Sequence, residues 1–107
     1  MKKLLILAAL VCGTAQAEFW TGNQLFNRLQ GDTVAERIQA LGYIMGVADA
    51  TQGSGHCPPE QVTSGQIRDM VRNHLESVPS ARHIEASSHV VYVLGTAWPC
   101  AKKGRNL

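Results

Sequence analysis

Three threonine-led signals constrain what this chain can fold into. Thr21-Gly22-Asn23-Gln24, Thr33-Val34-Ala35-Glu36 and Thr63-Ser64-Gly65-Gln66 each match the capping box. In that motif the Thr hydroxyl accepts from the backbone amide three residues on, and the Glu or Gln there reaches back to the Thr amide. Helical apolar spacing follows each one. The signals predict a helix from Gly22 to about Leu29, ended by Gly31-Asp32, and a second that starts after Thr33. Gly53-Ser54-Gly55 breaks the second, and Pro58-Pro59 delays any restart. A third runs from Ser64 to about Val78, where Pro79 stops it. Their inward stripes read Leu25, Phe26 and Leu29; then Val34, Ile38, Leu41, Met45 and Ala48; then Ile67, Met70, Val71, Leu75 and Val78.

The last segment, Ala81 to Trp98, contains the β-branched run Val90 to Leu94. The spacing Ile84, Val91, Leu94, Trp98 fits a helix equally well. A lone strand with no partner would leave its backbone groups unpaired, so a fourth helix is expected, ended by Pro99. The fold class is all-α: a small four-helix domain.

Leu41 to Ala50 holds the densest apolar content outside the N-terminus. Gly42, Gly46 and Ala50 share one helical stripe there. Each mid-helix glycine costs about 1 kcal/mol relative to alanine. Two of them suggest that another helix crosses closely, with Trp98 near the C-terminal half of this helix.

The N-terminus reads as a secretory signal peptide. Lys2 and Lys3 precede the apolar run Leu4 to Val11, and Ala15-Gln16-Ala17 is a cleavage site. The expected mature chain is residues 18–107, one domain in the periplasm, with no membrane anchor because the apolar run is too short. Ten Lys/Arg face eight Asp/Glu in the full sequence. Without Lys2 and Lys3 the two signs balance, which removes electrostatic support for binding nucleic acid. Cleavage also removes Cys12 and leaves Cys57 and Cys100, which an oxidising compartment would join.

No constellation of catalytic residues or metal ligands stands out, and no cofactor is expected. Cys57 is better explained by a disulfide than as a nucleophile beside His56. His74, His83 and His89 lack metal-ligand spacing, and His74 reads as a boundary residue of the third helix. Asp49, near the negative end of the second helix, is expected to find a partner such as Arg68 or Arg82. An enzyme is not expected, and binding is the default function.

The ordered set Leu41-Gly42-Tyr43-Ile44-Met45-Gly46-Val47-Ala48-Asp49-Ala50, Cys57-Pro58-Pro59, Val62-Thr63-Ser64-Gly65-Gln66 and Trp98-Pro99-Cys100, with Arg82-His83 before the last helix, resembles the Rap/Tai-type immunity proteins. The resemblance implies an all-helical, often dimeric periplasmic protein. Its partner would be a type VI secreted amidase that cuts peptidoglycan stems, inhibited by occlusion of its cleft. Many relatives carry a second cysteine pair, at positions corresponding here to Leu29 and Ala40. Contact is expected from an exposed loop, either Gln52 to His56 (Gln52, Ser54, His56) or Ser80 to His83 (Ser80, Arg82, His83). A homodimer would bury more surface for so small a domain. Two other readings fit the residues: an acid-stress chaperone that exposes apolar surface as histidines and carboxylates gain protons, and an envelope accessory protein without a toxin partner.

Overall fold

A computed structural model describes residues 19–101. The signal segment and the basic cluster Lys102 to Arg105 lie outside the described residues. Within them are four α-helices: α1, Gly22–Leu29; α2, Val34–Thr51; α3, Ser64–Ser77; and α4, Ala86–Ala97. A short 3-10 turn, Pro79–Ala81, precedes α4.

All three threonines cap their helices, and two of the three expected capping boxes form in full. Thr21 and Thr33 close full capping boxes with Gln24 and Glu36. Thr63 makes only the forward half, accepting from the Gln66 amide at 3.1 Å. Each box satisfies amides that a helix N-terminus leaves unpaired.

All four helices pack on one core. It comprises Leu25 and Leu29 of α1, Ala40, Ile44 and Ala48 of α2, Ile67, Val71 and Leu75 of α3, and Ala86, Val90, Val93 and Leu94 of α4. Leu29 and Ala40, where the resemblance implies a second cysteine pair in many relatives, both belong to it. Packing occupies those sites.

The central helix is oriented differently from the expectation. Its buried stripe is Ala40, Ile44 and Ala48, while Val34 and Ile38 are 61% and 62% exposed. Gly42, Gly46 and Ala50 face outward, and a Cβ added at Gly42 or Gly46 would meet nothing within 4 Å. The close helix crossing expected at these glycines is therefore absent. A helix apolar on almost every side gives its sequence no strong direction for the core. Small Ala40 and Ala48, rather than the glycines, line the face turned to the bundle.

Close approach occurs at two other glycines. A Cβ at Gly22 would lie 2.8 Å from the Arg82 carbonyl oxygen and 2.9 Å from the His89 ring. A Cβ at Gly95 would lie 3.0 Å from the Gly55 carbonyl oxygen. The first packs the start of α1 against the N-terminal end of α4 and its leading connection, and the second packs the C-terminal end of α4 against the loop after α2.

The fourth helix starts later than expected. Residues 82–85 form a turn-like connection against the N-terminus of α1. Gly22 donates to the Ile84 carbonyl and Asn23 to the Arg82 carbonyl, both at 2.8 Å, and Ala86 donates to Trp20 at 2.8 Å. Two unpaired first-turn amides of α1 are thereby satisfied by the connection rather than by water. Pairing with α1 holds this segment out of the helix. The inward face of α4 is Ala86, His89, Val90, Val93 and Leu94, and Val91 is exposed.

At the other end of α4, Cys57 and Cys100 form the expected disulfide, with Cα atoms 4.9 Å apart. The Cys57 amide donates to the Trp98 carbonyl at 2.8 Å, and Trp98 packs against the core. The loop before Cys57 turns at Gly53, whose φ of 88° is a conformation that favours glycine.

Candidate functional site

The two loops expected to meet a partner lie at opposite ends of α4. The Gln52 to His56 loop sits beside the C-terminal end, where Gly95 approaches Gly55. The Ser80 to His83 segment leads into the N-terminal end. A twelve-residue helix separates them by about 18 Å at 1.5 Å per residue.

The Gln52 to His56 loop is closed in on itself. His56 is 2% exposed, so it is not a surface contact residue. The Thr51 hydroxyl donates to the Val47 carbonyl at 2.9 Å, which leaves its oxygen to accept from His56 Nδ1 at 3.3 Å. The His56 carbonyl accepts from Gly53 at 2.7 Å. His56 thus acts as the loop's internal staple. Gln52 and Ser54 are exposed, and the Ser54 hydroxyl reaches the Thr51 carbonyl at 3.3 Å. Asp49 is exposed too. Its expected partner Arg68 is engaged by Asp69 instead, at 3.0 Å.

The other loop presents more. Ser80 and His83 are exposed. Arg82 is half-buried, with its guanidinium 4.6 Å from the centre of the Phe26 ring. It braces the connection against α1, as Arg28 does over Trp20 at 4.3 Å. Beside this loop lies a mainly apolar cleft of about 320 Å³, lined by Val78, Ala81, Ile84, Tyr92 and the pair His74 and His89. Ile84 is 45% exposed and Tyr92 60%.

Two histidines from different helices meet at the base of this cleft. His89 Nε2 lies 2.9 Å from the Ala81 carbonyl, which can only accept, so Nε2 carries the proton. His89 Nδ1 lies 3.0 Å from His74 Nε2, within hydrogen-bond distance. This relay ties α3 to α4 and α4 to the 3-10 turn. Burial, and then the neighbouring His89, hold the His74 pKa below its ordinary 6.5. The His74 ring also lies against Tyr92, with centroids 5.3 Å apart. The relay joins positions fifteen apart, which no local spacing reveals. What the sequence does carry is the placement of His89 beside Val90, one turn from Ala86 and Val93, on an inward face.

Nothing in this arrangement resembles a nucleophile with its base. No group of three or more potential metal ligands occurs among the described residues. The arrangement offered is a braced loop beside an apolar cleft, which suits recognition by shape.

A family model described as Rap1a immunity proteins matches residues 21–100. The chain belongs to that family. The match spans all four helices and the disulfide, so it covers the domain and not one motif. No curated protein matches the chain. Rap1a-family membership makes this a protein of the immunity class, which acts by binding a partner effector protein and is not normally catalytic.

Proposed function

We propose that this Rap1a-family chain is a periplasmic immunity protein that occludes a peptidoglycan amidase delivered by type VI secretion. The exposed Ile84 and Tyr92 beside the Ser80 to His83 loop carry this reading. Large apolar side chains grouped on a concave surface are the usual centre of a protein interface. The loop is braced by the Arg82–Phe26 contact, by the hydrogen bonds to α1 and by the His89 bond to Ala81. Little conformational entropy remains to be lost when it enters an enzyme's cleft, which favours tight binding.

Inhibition needs no chemistry from the chain. A rigid ledge seated over the amidase active site excludes the peptide stem by volume. Export before assembly fits the N-terminal Lys2-Lys3, apolar run and Ala15-Gln16-Ala17, and an oxidising compartment fits the disulfide.

The test is titration of the purified chain against a secreted amidase encoded beside its gene, with peptidoglycan cleavage as the readout. Stoichiometric loss of cleavage is expected. Tyr92→Ala should weaken binding by about tenfold or more, as hot-spot truncations do. An amidase that stays fully active in excess immunity protein would overturn the proposal.

A further inference from the structure

A second recessed surface lies away from that ledge, between the N-terminal half of α2 and the first half of α3. It is a groove of about 250 Å³ with Val34, Ile38 and Leu41 along one wall and Arg37, Arg68 and Arg72 around it. Val34 and Ile38 stand one helical turn apart and are both more than half exposed. Exposed β-branched side chains on successive turns form an apolar strip with no covering element among the described residues.

The charged side chains that line the strip are all arginines. Asp69 is the single carboxylate in ion-pair contact with these arginines among the described residues. Its Oδ1 serves both Arg68 at 3.0 Å and Arg72 at 3.8 Å. Arg37 reaches only a backbone carbonyl, that of Gly31, at 2.6 Å. Glu36, the nearest acid on α2, is committed to the Thr33 cap. Two cations therefore share one carboxylate, the third pairs with a backbone carbonyl alone, and the ion pairs are about half exposed and solvent-screened.

We infer that this groove docks an acidic amphipathic helix of a partner protein, with aliphatic side chains against Val34 and Ile38 and carboxylates toward Arg37, Arg68 and Arg72. Arginine suits that role because its planar fork binds carboxylates in pairs. Other occupants fit less well. A second copy related by a two-fold axis would bring its own three arginines to the same place. The chain's own C-terminus carries Lys102, Lys103 and Arg105, the same sign, and leaves from Cys100. The disulfide holds Cys100 to Cys57, beyond the far end of α2. The groove is recessed between helices, whereas a bilayer surface needs a projecting apolar edge. The site does not depend on what the Ser80 to His83 ledge binds.

Nuclear magnetic resonance titration of the exported chain tests this with synthetic helical peptides of about four turns. One carries leucines on one face flanked by glutamates. A second replaces each glutamate by lysine, and a third replaces each leucine by serine. The expected result is binding of the glutamate–leucine peptide alone, with shifts confined to Val34, Arg37, Ile38, Leu41, Arg68 and Arg72. Ile38→Asp should weaken that binding by about tenfold or more. The double variant Arg68→Glu, Arg72→Glu should transfer preference to the lysine peptide, a gain that misfolding cannot imitate. Equal binding of both charged peptides, or shifts outside the groove, would overturn the inference. So would binding of phosphatidylglycerol vesicles without binding of the acidic peptide, which would make the groove a lipid site.

Discussion

The two ends of α4 are fastened by different means. The C-terminal end is fastened covalently, through Cys57 and Cys100, and the loop beside it folds inward around buried His56. The N-terminal end is fastened by a network of hydrogen bonds: residues 82–86 against residues 20–23, and His89 against Ala81 and His74. The covalent end presents small and polar side chains such as Gln52 and Ser54, whereas the hydrogen-bonded end presents a ledge with exposed Ile84 and Tyr92 beside an apolar cleft. A disulfide restrains mainly the unfolded chain and asks little of surface shape. A network that must place Ile84 and His83 outward does its work in the folded state. The covalent end therefore acts as the stability device and the hydrogen-bonded end as the recognition device.

Breaking the covalent end should have the largest effect on stability. The disulfide closes a sequence separation of 43 residues. The chain-entropy model assigns about 4 kcal/mol to a loop of that size. Cys57→Ser with Cys100→Ser should lose roughly that amount in urea unfolding, against a total of about 5–15 kcal/mol for an ordinary domain. Where the double variant remains folded, its contacts at the ledge should be intact. Loss of ledge contacts in a still-folded variant would erase the distinction between the ends.

Gly22→Ala strikes the other end. The added methyl would meet the Arg82 carbonyl and the His89 ring at under 3.0 Å, and a backbone carbonyl fixed by Asn23 has little room to move. A loss of about 1–3 kcal/mol is expected, in the range of core overpacking. Amide exchange should accelerate first in residues 82–86. Gly95→Ala, which meets the Gly55 carbonyl at 3.0 Å, should cost less. Its clash is milder, and alanine returns about 1 kcal/mol of helix propensity.

This contrast among glycines marks how far the sequence alone could be read. The starts of the first three helices were legible because Thr21, Thr33 and Thr63 cap through bonds only three residues long, and the start of α4, which has no side-chain cap, was not. The disulfide was legible by counting. The orientation of α2 was not, because a helix with apolar residues all round admits several stripes, and only the partners select Ala40, Ile44 and Ala48. The burial of His56 and the His74–His89 relay were also hidden, since they depend on which loops the bundle brings together. Of the two candidate loops, the residue types alone did not separate a surface histidine, His83, from a buried one, His56. Gly42 and Gly46 misled for a related reason. Their cost to the helix is real, and close packing is only one way to explain it. Gly42→Ala and Gly46→Ala each place a methyl in open space, so each should stabilise by up to about 1 kcal/mol in thermal unfolding. Destabilisation by either would restore a close contact at that face.

The smallest effect should come from acid, and it should fall on one end only. Burial and the nearby His89 lower the His74 pKa in the folded chain below 6.5. Above about pH 6.5 both folded and unfolded chains hold His74 neutral, and its contribution to stability is complete. As pH falls below that value the unfolded chain takes up the proton first, so stability declines until the folded pKa is passed. The ring is only partly buried, so the decline is modest. His74→Gln removes the titration and should flatten this step between pH 6.5 and the folded value. Amide exchange locates it. Relative to the intrinsic exchange rate at each pH, acid should lower the protection of Ala86, Asn23 and Gly22, whose acceptors belong to the hydrogen-bonded end, and leave that of the Cys57 amide unchanged. Equal loosening at Cys57 would mean that the two ends open as one unit, and that the division between a clasped end and a recognising end is wrong.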